Sequence, residues 1–176
     1  EENHTLAQIV ASGDAPYLAT VARHGALFIH AHGVTHPSQP NYFALLSGRM
    51  NVNGDGCPAR GIPRDAPNLA SELLAAHLTF AAYSEALPAV GFMGCSAGTY
   101  AQKHAPWVHF TNIPQRLHRP LDDLRSFDHL ATVTFMVPDV DAEMHDGSVA
   151  EGDAWAAPRL TPLLRWAATH DTLVIF

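Results

Sequence analysis

The sequence is poor in cysteine, in positive charge and in long apolar runs, and each shortage excludes a class of protein. Its 176 residues include 10 Lys or Arg against 17 Asp or Glu, which gives a formal net charge of −7. A chain with this balance has no basic stripe to neutralise a phosphate backbone, so we do not expect nucleic acid as a partner. No apolar run approaches the roughly 20 residues of a membrane helix. We therefore expect no transmembrane segment.

The two cysteines, Cys57 and Cys95, leave two alternatives open. A disulfide between them would stabilise the fold by about 3 to 4 kcal/mol in the chain-entropy model. Two reduced thiols acting as small hydrophobic residues suit the count equally well.

Both ends of the sequence lack what a complete domain is expected to have. The chain begins at Glu1 without a charged and apolar leader, and it ends at Phe176 inside an apolar segment. The length suits one domain. We therefore predict a single, incomplete domain over residues 1–176, truncated at both ends.

Helix signals alternate with apolar, β-branched segments along the chain. Proline near the start and apolar residues at helical spacing predict helices over residues 15–24, 66–77 and 162–170, the first of them followed by Gly25. Apolar runs predict strands over residues 26–31, 78–83, 131–137 and 172–176. This alternation predicts an α/β fold with a mostly parallel sheet flanked by helices, in which ligands bind beyond the carboxyl ends of the strands.

The run THPSQPNYFALLSG, residues 35–48, places Ser38 where a helix should begin. Pro40 suits the first turn of that helix and Gly48 its end. One interpretation is that the Ser38 hydroxyl caps a backbone N–H. The other uses the N–H groups and the dipole of a helix N-terminus to hold an anion, so that Ser38 can attack a phosphorus atom.

Two other motifs compete with this junction. The run GCSAG, residues 94–98, matches a nucleophile elbow at Ser96, although its flanking segments do not suit the strand and helix that the elbow requires. Ser96 is read more simply as a loop serine beside a structural cysteine, and a serine carboxylesterase using Ser96 with a histidine such as His145 is kept as the alternative. The run NVNGDG, residues 51–56, imitates a calcium loop but has Ile62 where a bidentate Glu belongs, and we discount it.

Two clusters of metal-ligand residue types lie where the edge of the sheet is expected. The first is EENH at residues 1–4, and the second is DVDAEMHDG at residues 139–147, with Asp141 and His145 at D-x-x-x-H spacing. Carboxylate, amide oxygen and imidazole together suit a divalent metal ion. The identity of that metal is left open.

Several long runs resemble a known family. They are ENH at residues 2–4, HGVTHPSQPNYFALLSG at 32–48, APNLASELLAAHLTFAAYSEALP at 66–88, GCSAGTYAQKHAPWVHF at 94–110 and MHDGSVAEGDAW at 144–155. Together they resemble the bacterial phosphoesterase family of acid phosphatases and phospholipases C, within the alkaline phosphatase superfamily. The resemblance implies an alkaline-phosphatase-like core.

The resemblance also implies roles for individual residues. Glu2 and Asn3 would bind a metal ion, and Ser38 would be the nucleophile with its Oγ held by that metal. Asn41, one turn into the helix, would help to position the phosphoryl group.

Further roles follow from the remaining runs of the resemblance. Asp141 and His145 match a pair for a second metal or for the phosphate. Lys103 and His104 match a basic pair that would face the substrate. The chain departs from the family at Asp139, where Asn is usual, and at Glu143, where Asp is usual, so this loop is expected to bind differently.

These observations lead to one expected function. The parent protein is expected to be a metal-dependent phosphoric ester hydrolase that forms a phosphoseryl intermediate on Ser38. Its substrate would be a small phosphate ester or a phospholipid headgroup, and its location secreted or periplasmic, with the cytoplasm left open. The fragment itself is expected to be inactive, because acidic ligands of the family follow the position of Phe176. A non-catalytic metal- or phosphate-binding module is the second alternative, and the oligomeric state is left open.

Overall fold

The chain forms two compact units in a computed structural model that describes residues 3–176. The first unit comprises Glu1–Ala31 and Val140–Phe176, and the second comprises His32–Asp139. Each unit is described below by itself. Glu2, a predicted metal ligand, lies outside the described residues.

The second unit contains all the strands that the described residues form. They are β1 (Phe80–Ser84), β2 (Ser96–Ala97), β3 (Tyr100–Ala101), β4 (His118–Pro120) and β5 (Val133–Val137). Strands β4, β1 and β5 form a three-stranded sheet in that order, and both pairings are parallel. The predicted α/β class with a parallel sheet is confirmed, as are the strands expected near residues 78–83 and 131–137.

Residues 3–176 form four α-helices. They are α1 (Pro16–His24), α2 (Ser38–Ser47), α3 (Leu69–Ala75) and α4 (Val149–Ala167). The first three match the sequence prediction closely. The fourth starts at Val149 rather than at 162, because Ser148 and Glu151 form a capping box that begins the helix earlier. Pro158 and Pro162 lie inside α4, so proline was a misleading start signal here.

Aromatic side chains form the core of the second unit, between the sheet, α2 and the segment around Trp107. Phe80 on β1 lies with its ring centroid 5.8 Å from that of Phe135 on β5, and Trp107 lies 5.5 Å from Phe135. Phe43 on α2 is 1% exposed and contacts Phe110, with ring centroids 5.8 Å apart. Burying such rings stabilises a fold by roughly 1.5 to 3 kcal/mol each, so α2 is held firmly against the core.

Two predicted strands are wrong. Residues 26–31 and 172–176 have no strand structure, and their apolar side chains face solvent, as Phe28 at 78% and Ile175 at 87% exposure show. A strand needs a neighbour to satisfy its backbone N–H and C=O groups. Within residues 3–176 neither segment pairs with another strand, so its apolar pattern is not sufficient to form one.

The first unit is built on the packing of α1 against α4. Leu18 of α1 and Leu163 of α4 are both buried. The residue before α1 is Ala15, which has no side-chain acceptor for the first N–H groups of the helix. Asp153 of α4 supplies it, because Oδ1 accepts the Leu18 N–H at 2.7 Å and Oδ2 accepts the Tyr17 N–H at 3.1 Å.

Candidate functional site

Ser38 is the first residue of α2 in the second unit. The N-cap position is taken by Pro37, which follows a cis peptide bond from His36 and has no side chain able to cap the helix. The interpretation of Ser38 as the N-cap residue is therefore wrong by one position. Its half-buried side chain lies instead at the end of the helix where the N–H groups and the dipole favour an anion.

Asn41 braces the chain that leads into Ser38. Its Oδ1 accepts the backbone N–H groups of Val34 at 2.8 Å and Thr35 at 3.1 Å. Its Nδ2 lies 2.9 Å from Thr35 O, 3.0 Å from Pro37 O and 3.3 Å from Ser38 O. The amide therefore fixes the backbone around the serine. A direct role of Asn41 in positioning a phosphoryl group stays a prediction.

A loop from the discounted calcium-like run covers the first turn of α2. Gln39 is 2% exposed, and its Nε2 donates to Gly54 O at 2.6 Å and to Gly56 O at 3.1 Å. The backbone N–H of Gln39 donates to Asp55 Oδ1 at 2.9 Å. Asp55 therefore supplies the cap that Pro37 lacks, a role that sequence reasoning missed although the carboxylate stood out in NVNGDG.

Lys103, a predicted substrate-binding residue, lies at the same helix end. Its Nζ is 3.5 Å from Asp55 Oδ2, and the side chains of the two residues are 20% and 32% exposed. Lys103 is the sole lysine of the sequence. The neighbouring His104 is 2% exposed, and its ring lies 5.0 Å from that of Tyr42 on α2. That these two basic residues face the substrate stays a prediction.

A disulfide bond ties the Asp55 loop to the segment that carries Lys103. Cys57 and Cys95 are joined with an S–S distance of 2.07 Å, so the structure contains the pair that the sequence left open. The backbone N–H of Gln102 donates to Cys95 O at 3.0 Å, which extends the connection as far as the residue before Lys103.

Ser96, the rival nucleophile, lies on a short hairpin. Strand β2 pairs antiparallel with β3, so that Ser96 is opposite Ala101, and its side chain is exposed. The hairpin is followed by the 3₁₀ turn Gln102–His104. A nucleophile elbow requires a buried strand before the serine and a helix after it. The surroundings of Ser96 therefore do not favour the esterase alternative.

The remaining predicted site residues lie in the first unit. His4 Nε2 is 3.2 Å from Met144 O, which brings the segment of Asn3 against the loop of Asp141 and His145. This loop turns tightly, because the Met144 N–H donates to Asp141 O at 3.1 Å. Asn3 has a φ of 61°, in the left-handed region, which asparagine tolerates better than most residues.

These residues suit a divalent metal ion by type. Asn3 offers an amide oxygen, Asp141 a carboxylate and His145 an imidazole. His145 Nδ1 is 2.9 Å from Asp146 Oδ1, an arrangement that orients the rings of many metal-bound histidines. Over residues 3–176, however, no three His, Cys, Asp or Glu side chains are grouped closely enough to hold a metal ion. The donor types fit, but the described residues do not by themselves form a complete metal centre.

Asp139, where the resemblance leads to an expectation of Asn, lies at the end of the second unit. Its Oδ2 accepts the Thr99 hydroxyl at 2.7 Å, and its backbone N–H donates to Glu85 Oε2 at 3.3 Å. This carboxylate is therefore engaged by the chain itself, just after strand β5.

His118 on β4 is a buried polar residue that the sequence did not single out. Its Nε2 lies 3.1 Å from the hydroxyl of Ser84 at the carboxyl end of β1. Burial lowers the pKa of His118 to about 4, because the charged imidazolium would lose its hydration. The ring contacts Tyr100 and Trp107, with centroids 5.9 and 5.7 Å away. His118 is therefore a neutral part of the core at physiological pH.

No helix among residues 3–176 is long and apolar enough to cross a membrane.

Comparison with known proteins gives one family. The sequence model of the Phosphoesterase family matches residues 3–176. A phosphatidylinositol-3-phosphatase of Mycobacterium tuberculosis is 43% identical over 179 residues, which cover 99% of this chain and 59% of that protein. A phosphate-repressible acid phosphatase of Penicillium chrysogenum is 28% identical over 90% of this chain and 42% of its own length. An acid phosphatase of Aspergillus fumigatus is 28% identical over 88% and 38%. The chain thus spans about half the length of these relatives, and no solved structure matches it.

Proposed function

Because this chain belongs to the Phosphoesterase family, we propose that the protein hydrolyses phosphoric esters and uses Ser38 as its nucleophile. The observation that carries this proposal is the position of Ser38 as the first residue of α2, on a backbone braced by Asn41. A serine placed there can attack a phosphoryl group whose oxygens face the helix N-terminus. The relatives named as phosphatases support the same reaction class.

In the proposed reaction, Ser38 Oγ attacks phosphorus in line with the ester oxygen. The hydroxyl loses its proton, the bond from phosphorus to the ester oxygen breaks, and the alcohol leaves with a proton. Water then attacks the phosphoserine, which releases inorganic phosphate and restores the serine. Lys103 supplies positive charge for the phosphoryl oxygens, in a chain with a formal net charge of −7.

We propose that the reaction depends on divalent metal, with Glu2 and Asn3 as ligands of one ion and with Asp141 and His145 as a pair for a second ion or for the phosphate. When bound, such a metal would supply positive charge that can activate a nucleophile and neutralise a phosphoryl group. The amide, carboxylate and imidazole donors of the described residues support this proposal, as does the contact between His145 and Asp146.

The proposed substrates are phosphomonoesters, including the phosphorylated headgroup of an inositol lipid. This choice follows the names of the relatives, a phosphatidylinositol-3-phosphatase and acid phosphatases. Phospholipase C activity, which the wider family includes, would release a phosphorylated headgroup rather than inorganic phosphate. Product analysis on a phosphoinositide therefore separates the two activities.

We also propose that the protein works outside the reducing cytoplasm. The disulfide between Cys57 and Cys95 supports this location, since such bonds persist mainly in oxidising compartments. Fractionation of the producing cells would test it, and an exclusively cytoplasmic protein with both thiols reduced would contradict it.

The decisive experiment compares Ser38→Ala with Ser47→Ala at the other end of the same helix. Ser47 donates its hydroxyl to Phe43 O at 2.8 Å and is a matched control for the loss of one hydroxyl. In the purified whole protein with p-nitrophenyl phosphate, we expect Ser38→Ala to lower kcat by about a thousandfold or more. Ser47→Ala should retain most of the activity.

The same assay tests the metal and the non-catalytic alternative. A chelator should abolish turnover, and added divalent ions should restore it. Turnover that survives Ser38→Ala would disprove the assignment of the nucleophile. Phosphate binding by calorimetry without any turnover would favour a binding module instead.

A further inference from the structure

Asp55 contacts two neighbours with its two carboxylate oxygens. Oδ1 accepts the backbone N–H of Gln39 at 2.9 Å, one residue after the proposed nucleophile. Oδ2 lies 3.5 Å from Nζ of Lys103. The carboxylate therefore connects the first turn of α2 with the ammonium group of Lys103.

The loop that carries Asp55 is held from both sides. Gln39 Nε2 donates to the carbonyl groups of Gly54 and Gly56, the residues immediately before and after Asp55. Cys57 follows two residues after Asp55 and is bonded to Cys95. The backbone on both sides of Asp55 is thus held in place, and this support does not depend on the contact with Lys103.

We propose that Asp55 is a positioning residue that holds the ammonium group of Lys103 beside the first turn of α2, ready for the phosphate of the substrate. This inference rests on the proposed function of Ser38. The side chains of Asp55 and Lys103 are 32% and 20% exposed, so the pair is accessible to a ligand from solvent. Asp55 itself does not touch the substrate.

Lys103 needs a positioning residue because a lysine side chain is flexible. A lysine side chain has many rotamers, and a ligand that must immobilise it binds more weakly for that reason. A carboxylate anchored at the helix end restricts the ammonium group before the substrate arrives. The same carboxylate repels a phosphate dianion, and the proposal requires that the gain from positioning exceeds this repulsion.

Asp55→Asn separates the two contacts of the carboxylate. The asparagine keeps an oxygen that can accept the Gln39 N–H, since asparagine caps helices as well as aspartate does. It removes the charge that holds Lys103. The matched control is Asp65→Asn, an exposed aspartate of the same unit whose backbone carbonyl accepts a hydrogen bond from Asn112.

The experiment measures KM, kcat and the melting temperature of the whole protein with p-nitrophenyl phosphate. We expect Asp55→Asn to raise KM about threefold to tenfold, the effect of freeing one flexible side chain, while kcat changes less. Asp65→Asn should leave KM unchanged. Lys103→Met should raise KM at least as much, and the double variant Asp55→Asn with Lys103→Met should match Lys103→Met alone. The melting temperatures of all four variants should stay near that of the parent protein.

Three outcomes would overturn the inference. An unchanged or lower KM in Asp55→Asn would mean that the carboxylate does not position Lys103 or only competes with phosphate. Additive effects in the double variant would mean that Asp55 acts independently of Lys103. A loss of kcat that follows the loss of melting temperature would mean a purely structural cap. Ser38→Ala, measured alongside, tells whether the proposed function has failed as well, because that variant is inactive only if the function holds.

Discussion

Two helix N-termini in this protein solve the same problem with different consequences. Helix α1 follows Ala15 and helix α2 follows Pro37, and neither residue can cap a helix with its side chain. In both cases an aspartate from another segment caps the helix, and it accepts two backbone N–H groups in α1 and one in α2. Asp153 gives both oxygens to the backbone of α1, whereas Asp55 gives one to α2 and the other to Lys103.

The difference separates a structural cap from one available for function. Asp153 is 7% exposed and has its charge balanced by two N–H groups and the helix dipole. Asp55 is partly exposed to solvent and forms an ion pair with the sole lysine of the chain. An aspartate that leaves one oxygen for a mobile cation can orient that cation, and one that is fully engaged cannot.

The largest expected effect is the loss of the structural cap. Asp153→Ala removes an ionised acceptor from two N–H groups of α1, so the free energy of unfolding should fall by about 4 kcal/mol, at roughly 2 kcal/mol per charged hydrogen bond. Urea titration monitored by circular dichroism measures it. Asp14→Ala, an exposed aspartate near the start of the same helix, is the control.

This prediction also tests whether the cap of α1 is structural only. At a temperature where Asp153→Ala is still folded, its KM for a phosphomonoester should equal that of the parent protein. A raised KM would show that the two caps do not differ in the way proposed.

The next largest effect concerns the anchor of the Asp55 loop, for which α1 has no counterpart. Replacing both Cys57 and Cys95 by serine opens a loop with a sequence separation of 38 residues. We expect the free energy of unfolding to fall by about 3 to 4 kcal/mol in the chain-entropy model. KM should rise as well, because the loop that carries Asp55 loses its anchor. Reduction of the parent protein with a thiol should reproduce the result. Unchanged stability and KM would refute this coupling.

A smaller effect is expected from acid, which should lower the free energy of unfolding of the second unit through His118. His118 has a pKa of about 4 in the folded protein and an ordinary value of 6.5, so the unfolded chain binds more protons between these limits. The contribution of His118 is complete above pH 6.5 and decreases as the pH falls towards 4, by up to about 3 kcal/mol. No histidine described in the first unit is buried.

The measurement is the free energy of unfolding of the second unit as a function of pH. His118→Gln keeps a group that can bond to Ser84 but does not titrate, so its pH dependence between 6.5 and 4 should be flatter. Identical slopes in the two proteins would contradict the assignment to His118.

The smallest effect concerns a helix that is capped locally. Ser148 accepts the Glu151 N–H at 3.2 Å at the start of α4 and lies on the surface. Ser148→Ala should lower the free energy of unfolding by about 1 kcal/mol, the usual value for an N-cap serine. Comparison with Asp153→Ala in the same urea assay shows how much more a buried cap from a distant segment contributes. An equal or larger loss in Ser148→Ala would refute that ranking.

Local signals account for the parts of the fold that were predicted correctly. The β-branched run before Pro138 predicted β5, and the run from Ser38 to Gly48 predicted α2, since each pattern describes its own neighbourhood. The start of α4 was missed because Pro162 was taken as the start signal, whereas the capping box at Ser148 begins the helix and both prolines lie inside it. The strands at 26–31 and 172–176 were wrong because an apolar segment cannot show whether a neighbour is present to pair with it.

Some residues of the candidate site were likewise found from the sequence, and others were missed. Ser38 and Lys103 were singled out from sequence and resemblance, and their direct part in the chemistry stays to be tested. Asp55 and Gln39 were missed, because the value of each depends on a contact with a residue 15 or more positions away. The only sequence signal was an aspartate in a loop that did not suit calcium.

By itself the sequence determined the α/β class, the parallel strands β1 and β5, and the serine at the start of α2, since the periodicity of apolar residues and the placement of proline and glycine act over a few residues. Only the tertiary structure decided which carboxylate meets which helix, that Cys57 pairs with Cys95, and that Lys103 lies beside Asp55. The physical reason is that such contacts form between segments far apart in the chain, so they depend on how the whole core packs.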